Sequence, residues 1–343
     1  MFSKTLSAES AGAAGHTLEA SAPRVNSGVA LAAAALFFAG AATLLLAARG
    51  NPYDGGPVAR ARILFSAAQS TVTEAGRGPI LSVAGALPTA PFAGMTAPGP
   101  GGLLPIIAAD GRASWKAYAR PFTDDGRPKI ALVISGLGLN PDETQKAIDS
   151  LPAEVTLSFS PYAENLQAQI DHARAAGHEV MVELPMEPLD YPDNDPGPYT
   201  LMADAPAPET AKKLEWVLSR ASGYYALTNY LGSRFLGDDK AYQGFMGALR
   251  GRGLGFIDDG LAGRRSGGGA PRASAERVID DQLSQGAIDQ QLLALESGAM
   301  QRGQALGAGF AYPVTLDKVA KWAASVGDRG FQLAPASAMA VRR

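Results

Sequence analysis

The chain has 343 residues, 46% of them hydrophobic and 18% charged, with 30 basic against 33 acidic side chains and a formal charge of -3. A chain this close to neutral has no electrostatic reason to hold nucleic acid. The complete absence of cysteine excludes disulfide frameworks, zinc–cysteine sites and thiol nucleophiles.

After an amino-terminal tail (1–27), Gly28 to Ala48 reads GVALAAAALFFAGAATLLLAA, uncharged and bracketed by Arg24 and Arg49. About twenty apolar residues at 1.5 Å each span roughly 30 Å, the thickness of a hydrocarbon core. The segment is expected to be an uncleaved membrane anchor. A cleaved signal is the alternative, although its apolar region is usually shorter and its amino-terminal flank less acidic than one holding Glu9 and Glu19. Basic residues lie on both sides, so charge does not fix the orientation. A first apolar segment followed by a large polar domain favours export. The expectation is a single-pass inner-membrane protein with its globular part on the periplasmic side, or a secreted one if the segment is removed. Residues 49–127 contain PTAPFAGMTAPGPGGLLP and similar proline- and glycine-rich runs. Such a composition reads as a disordered tether.

Beyond Pro128 the pattern becomes regular. Lys129 to Ser135 (KIALVIS) is an apolar run of the kind a buried parallel strand needs. Asn140-Pro141-Asp142-Glu143 opens a helix, with Asn140 as cap and Pro141 at the first helical position. Strands are predicted at 155–161, 179–185, 224–229, 254–258, 277–280, 305–311 and 331–336. Helices are predicted at 165–176, 208–221, 240–250, 288–302 and 316–326. Repeated βα units over 128–341 predict an α/β domain, a distorted (β/α) barrel of seven or eight mostly parallel strands. Its active face should lie at the carboxyl ends of the strands.

Those ends bring together Ser135-Gly136, Ser160-Pro161, Glu183 to Pro188, Asn229 to Ser233, Asp258-Asp259, Asp280-Asp281 and Ala311-Tyr312. A dinucleotide fingerprint is incomplete: Gly136-Leu137-Gly138 follows the first strand, but the third glycine position is Pro141. The chain's three histidines are His16, His172 and His178. His172 falls inside a helix and His178 at the amino end of a strand, the wrong end for a Ser-His-Asp site. No histidine pair shares a face, so a zinc centre lacks ligands. Carboxylates and carbonyls would at most hold a hard cation weakly, Mg²⁺ or Ca²⁺. No cofactor is expected.

Several stretches together resemble the divergent polysaccharide deacetylase family, a branch of the NodB-like carbohydrate deacetylases. They are GHEVMVELPMEP (Gly177 to Pro188), YPDNDPGPYTL (Tyr191 to Leu201), NYLGSRF (Asn229 to Phe235) and YPVTLDKVAKW (Tyr312 to Trp322). The resemblance implies a distorted barrel, an exported domain and a role with carbohydrate. Glu187, Asn229, Ser233 and Asp258 match the family pattern and are the candidate cleft residues. The family's ligand positions are replaced: Ser135 and Gly136 stand where an Asp pair is usual, and Tyr230 and Ala311 where histidines are. Hydroxyl, hydrogen, phenol and methyl cannot hold an ion firmly enough to acidify water. Three readings stay open: a catalytically impaired domain binding cell-envelope glycan or an envelope protein, a hydrolase using carboxylates such as Asp258 and Glu187, and a scaffold with no ligand.

Overall fold

The computed structural model describes residues 85–340. The tail, the apolar segment Gly28 to Ala48 and the first part of the expected tether lie outside the described residues. Among the described residues no helix is long and apolar enough to cross a membrane.

The chain first forms an antiparallel hairpin, β1 (Thr96–Gly99) and β2 (Gly102–Pro105), then a single helical turn α1 (Ser114–Ala117). There follow β3 (Lys129–Leu137), α2 (Pro141–Ser150), β4 (Thr156–Phe159), α3 (Leu166–Ala175), β5 (Val180–Met186) and α4 (Ala207–Leu218). Next come β6 (Ala226–Leu231), α5 (Asp239–Arg252), β7 (Gly255–Asp258), β8 (Arg272–Ser274) and β9 (Arg277–Val278). The chain ends with α6 (Gln285–Arg302), β10 (Gln304–Phe310), α7 (Pro313–Val326), β11 (Gln332–Leu333) and a 3₁₀ turn at Ala336–Met339. The caps act as their chemistry dictates: Asn140 Oδ1 accepts from the Asp142 and Glu143 amides at 3.1 and 3.4 Å, opening α2.

The strands pair in the order β8-β7-β6-β5-β4-β3-β10-β9, every neighbour parallel. The outer members β8 and β9 are separated by Ala275 and Glu276 alone. The Ala275 amide donates to Asp258 O on β7, and the Glu276 amide to Leu306 O on β10. One short run therefore serves both edges, and the sheet curls round on itself. β11, expected as the last strand of the barrel, instead pairs briefly beside β3 off this path.

Strand period two sorts the side chains. Ile130, Leu132, Val182, Leu184, Leu227 and Phe256 pack outward against helix residues such as Ile170, Leu214, Leu249 and Leu292. Ala131, Val133, Met181, Ala226, Ile257 and Leu306 form a second, smaller core inside the curl.

Residues 85–127 correct the expectation of a tether, because they are folded. Leu87, Met95, Leu104, Ala108 and Tyr118 are buried, and Met95, Ala108 and Tyr118 belong to the inner core. The stretch supplies carbonyls to Arg174, a residue only 2% exposed. Nη1 donates to Tyr118 O (3.1 Å) and Gly223 O (3.0 Å), and Nη2 to Pro88 O (2.9 Å).

The amino end of the barrel is closed by the Gly177-His178-Glu179 run. Gly177 sits at φ +99°, and a Cβ there would lie 2.7 Å from Gly85 O. Both ring nitrogens of buried His178 face carbonyls, Val155 O at 2.8 Å and Ile148 O at 3.2 Å. Burial holds the imidazole below its usual pKa. The buried Glu179 carboxylate accepts from Thr156 Oγ1 (2.7 Å), the Ser337 amide (3.0 Å), Ser337 Oγ (2.5 Å) and the Arg120 amide (3.1 Å). Four donors meet the hydrogen-bonding demand of a charge taken out of water.

Candidate functional site

At the carboxyl ends of the strands lies a cavity of about 490 Å³. Its lining combines Gly136, Ser160, Glu183, Tyr230, Leu231, Phe310, Ala311 and Tyr312, at or just past strand ends, with Leu139, Glu143, Tyr162 and Asp195 from the segments that follow them. Three of the four replaced ligand positions, Gly136, Tyr230 and Ala311, therefore converge on one space. Ser135 lies deeper, with Asn229, Asp258 and Asp259, around an inner void of about 20 Å³. The β3–β4 register shifts between Ile134 and Leu137, and Gly136 sits within that irregularity at φ +79°. The bulge turns the Gly136 amide toward the lumen, where it donates to Glu183 Oε1.

Glu183 is the residue that sequence reasoning passed over. It was one of several polar groups at a strand end, with nothing in VMVELPM to single it out. The curled sheet places it on the lumen face of β5, in register with Met181, at 4% exposure. Burial pushes its carboxyl up to about 7, against the opposing pull of the Gly136 amide. Tyr230 is raised too, first by burial, then by the nearby Glu183 and Tyr312 charges.

The four family-matching candidates lie elsewhere, and none lines this cavity. Glu187 Oε2 accepts from the Ala203 amide at 2.8 Å and Oε1 lies 3.3 Å from Arg234 Nε, while its carbonyl accepts from the Arg234 and Phe235 amides. Ser233 Oγ accepts from the Leu189 amide at 3.0 Å. Asn229 Nδ2 donates to Leu231 O (2.8 Å) and its Oδ1 accepts from the Asp259 amide (3.1 Å). These bonds accompany Leu231 at φ +57°, a conformation a side chain of its size rarely adopts. Asp258 Oδ1 accepts from the Gly260 and Ala262 amides, both at 2.9 Å; Oδ2 accepts from Ser274 Oγ and lies 3.4 Å from Arg272 Nη2. All four fix the backbone of the rim. Asp258 and Glu187 each take part in several of these bonds, and neither lines the cavity. Asp259 is raised by burial, and so is Asp280, whose Oδ2 accepts from the Phe310 amide and Thr315 Oγ1.

A curled, parallel β/α sheet with a cavity at the carboxyl ends of its strands defines a domain of the (β/α)-barrel type. The chain belongs to the divergent polysaccharide deacetylase family, whose sequence profile matches residues 132–340. An uncharacterized Agrobacterium tumefaciens C58 protein, ATU2773, is 36% identical, with a TM-score of 0.65 over 69% of this chain and 99% of its own. An uncharacterized protein of Haemophilus influenzae is 24% identical over 195 residues, 55% of this chain and 68% of that protein. The Escherichia coli K12 protein YibQ, also uncharacterized, is 23% identical over 194 residues, 55% of this chain and 60% of its own.

The family resemblance implies a metal centre at positions 135, 136, 230 and 311. The residues present do not fit one. They offer a hydroxyl, a hydrogen, a phenol whose ionisation burial opposes, and a methyl. Among the described residues no three His, Cys, Asp or Glu side chains are grouped to hold an ion.

Proposed function

We propose that this chain is an envelope protein whose barrel binds cell-envelope glycan in the cleft at Gly136, Tyr230 and Ala311 without metal-dependent deacetylation. The observation that carries this reading is the convergence of those replaced positions on one cavity walled by Tyr162, Tyr230, Phe310 and Tyr312. Aromatic faces suit sugar rings, and Glu183, the one buried acid among the residues lining the cavity, suits hydrogen bonding to a polar ligand better than ligating an ion. The test is zinc calorimetry with acetate release from an acetylated sugar oligomer. The native protein should bind no zinc stoichiometrically and release no acetate. The combined variant Ser135→Asp, Gly136→Asp, Tyr230→His and Ala311→His should acquire measurable zinc affinity. A Cβ at Gly136 finds room, 3.4 Å from Phe310 Cδ1, but the left-handed backbone costs an Asp there about 1 kcal/mol. Tight zinc binding with acetate release by the native protein overturns the proposal.

The location belongs to the same reading: Gly28 to Ala48 anchors the chain in the inner membrane with the barrel on the periplasmic side. Support comes from the length and uncharged character of that segment. In cell fractionation the full chain should sediment with membranes and resist extraction by high salt and alkali. A soluble mature form starting near Arg49 shows a cleaved signal instead.

A further inference from the structure

The cleft has a one-sided charge pattern. Three carboxyl residues, Glu143, Glu183 and Asp195, line it, and no lysine, arginine or histidine does. Glu183 Oε1 accepts from Gly136, while Oε2 has no hydrogen-bond partner among the described residues, although the residue is 4% exposed and borders the cavity. A carboxyl oxygen that opens from a buried residue onto a cleft is satisfied by a ligand that brings a donor, best of all a positive one. One wall is already ordered to receive a ring. Tyr162 lies against Trp216 with centroids 5.6 Å apart, Trp216 stacks on Tyr199 at 3.5 Å and 3°, and Tyr162 Oη accepts the Tyr199 amide at 3.2 Å. Phenol faces are electron-rich and attract ammonium groups as well as sugar C–H faces.

We propose that this cleft selects amino sugars bearing a free, protonated amine, so that it reads de-N-acetylated glycan in preference to the acetylated polymer. The ammonium is placed between Glu183 Oε2 and the Tyr230 ring, with Glu143 and Asp195 adding attraction from the rim. Burial leaves Glu183 part-protonated near neutrality, and an arriving ammonium favours its ionised form. An acetamide carries no charge, and an anionic sugar meets three acids of its own sign. The proposal rests on the glycan-binding reading above and narrows it to a ligand class.

The experiment is calorimetry on the detergent-solubilised full chain at neutral pH, with an oligomer of glucosamine and an oligomer of N-acetylglucosamine of equal length. The amine oligomer should bind at least about tenfold more tightly, a difference of about 1.4 kcal/mol. Glu183→Gln, nearly isosteric and still able to accept from Gly136, should erase most of that preference. Tyr162→Ala should weaken both ligands alike. Thermal melts of each variant establish that the fold is kept. Equal affinity for both oligomers overturns the amine selectivity and leaves glycan binding standing. Binding of neither overturns both. A preference that survives Glu183→Gln together with Asp195→Asn overturns the assignment to these carboxyls.

Discussion

A chain cut to begin at Pro128 is expected to lose its cooperative fold, whereas one beginning at Gly85 keeps it. The cut strips Arg174 of two of its three carbonyl partners, Tyr118 O and Pro88 O. Its Nε is already buried without a partner among the described residues, and Tyr118, whose ring lies 5.2 Å from the guanidinium, leaves as well. Breaking up the surroundings of a buried charge costs about 3–5 kcal/mol. Burial of Leu87, Met95, Leu104 and Tyr118 is lost at about 1.5–3 kcal/mol for each large side chain. Glu179 loses the Arg120 amide too. Together these match the whole stability of an ordinary domain, about 5–15 kcal/mol. Circular dichroism melts of the two truncations provide the check. A soluble Pro128 form that melts cooperatively near the temperature of the longer one would refute the role given to residues 85–127.

Glu183→Gln is expected to make the protein more stable at neutral and alkaline pH, although it removes a cleft residue. The carboxyl ionises near its ordinary 4.5 when unfolded and at about 7 when folded. Below about 4.5 both states hold the proton, and the full contribution is present. Between the two values the folded state keeps a proton the unfolded chain has released, so stability falls as pH rises. Above about 7 the loss is complete, roughly 3 kcal/mol at 1.36 kcal/mol per pKa unit. Gln titrates nowhere in this range and still accepts from Gly136. Urea denaturation across the pH series should show the variant gaining about 3 kcal/mol on the wild type from pH 4.5 to beyond 7. Comparing the two chains cancels the other carboxylates, including Asp110 and Asp124, whose lowered values push stability the opposite way. A pH-independent difference would mean that Glu183 is not held neutral by burial.

The barrel was legible wherever local pattern and local chemistry agree. KIALVIS, the Asn140-Pro141 cap and the βα alternation each carry their structure within a few residues. The stretch 85–127 was illegible because what orders it is distant. Its anchors Met95, Leu104 and Tyr118 follow no period, and the groups that hold it, Arg174, Glu179 and Gly253, come later in the chain. Glu183 was obscured for a related reason. Only the curl of the sheet turns its alternate face into a lumen and its carboxyl into a buried acid. The family motif marked Glu187, Asn229, Ser233 and Asp258, and in the fold each of these side chains bonds rim backbone. A motif records that a residue type is required without distinguishing a ligand-facing role from a hydrogen bond to a loop amide.

The closure at Glu179 has a consequence during synthesis. Its donors come from Arg120, Thr156 and Ser337, the last 158 positions further along. While the nascent chain is shorter than this, a carboxylate destined for the interior lacks half its partners, and the inner core stays open to water from below. Contacts of such long range form late and slowly. Stable closure therefore waits until the carboxyl-terminal turn has emerged from the ribosome, and ribosome-stalled chains ending before Ser337 remain prey to proteases that spare the released protein.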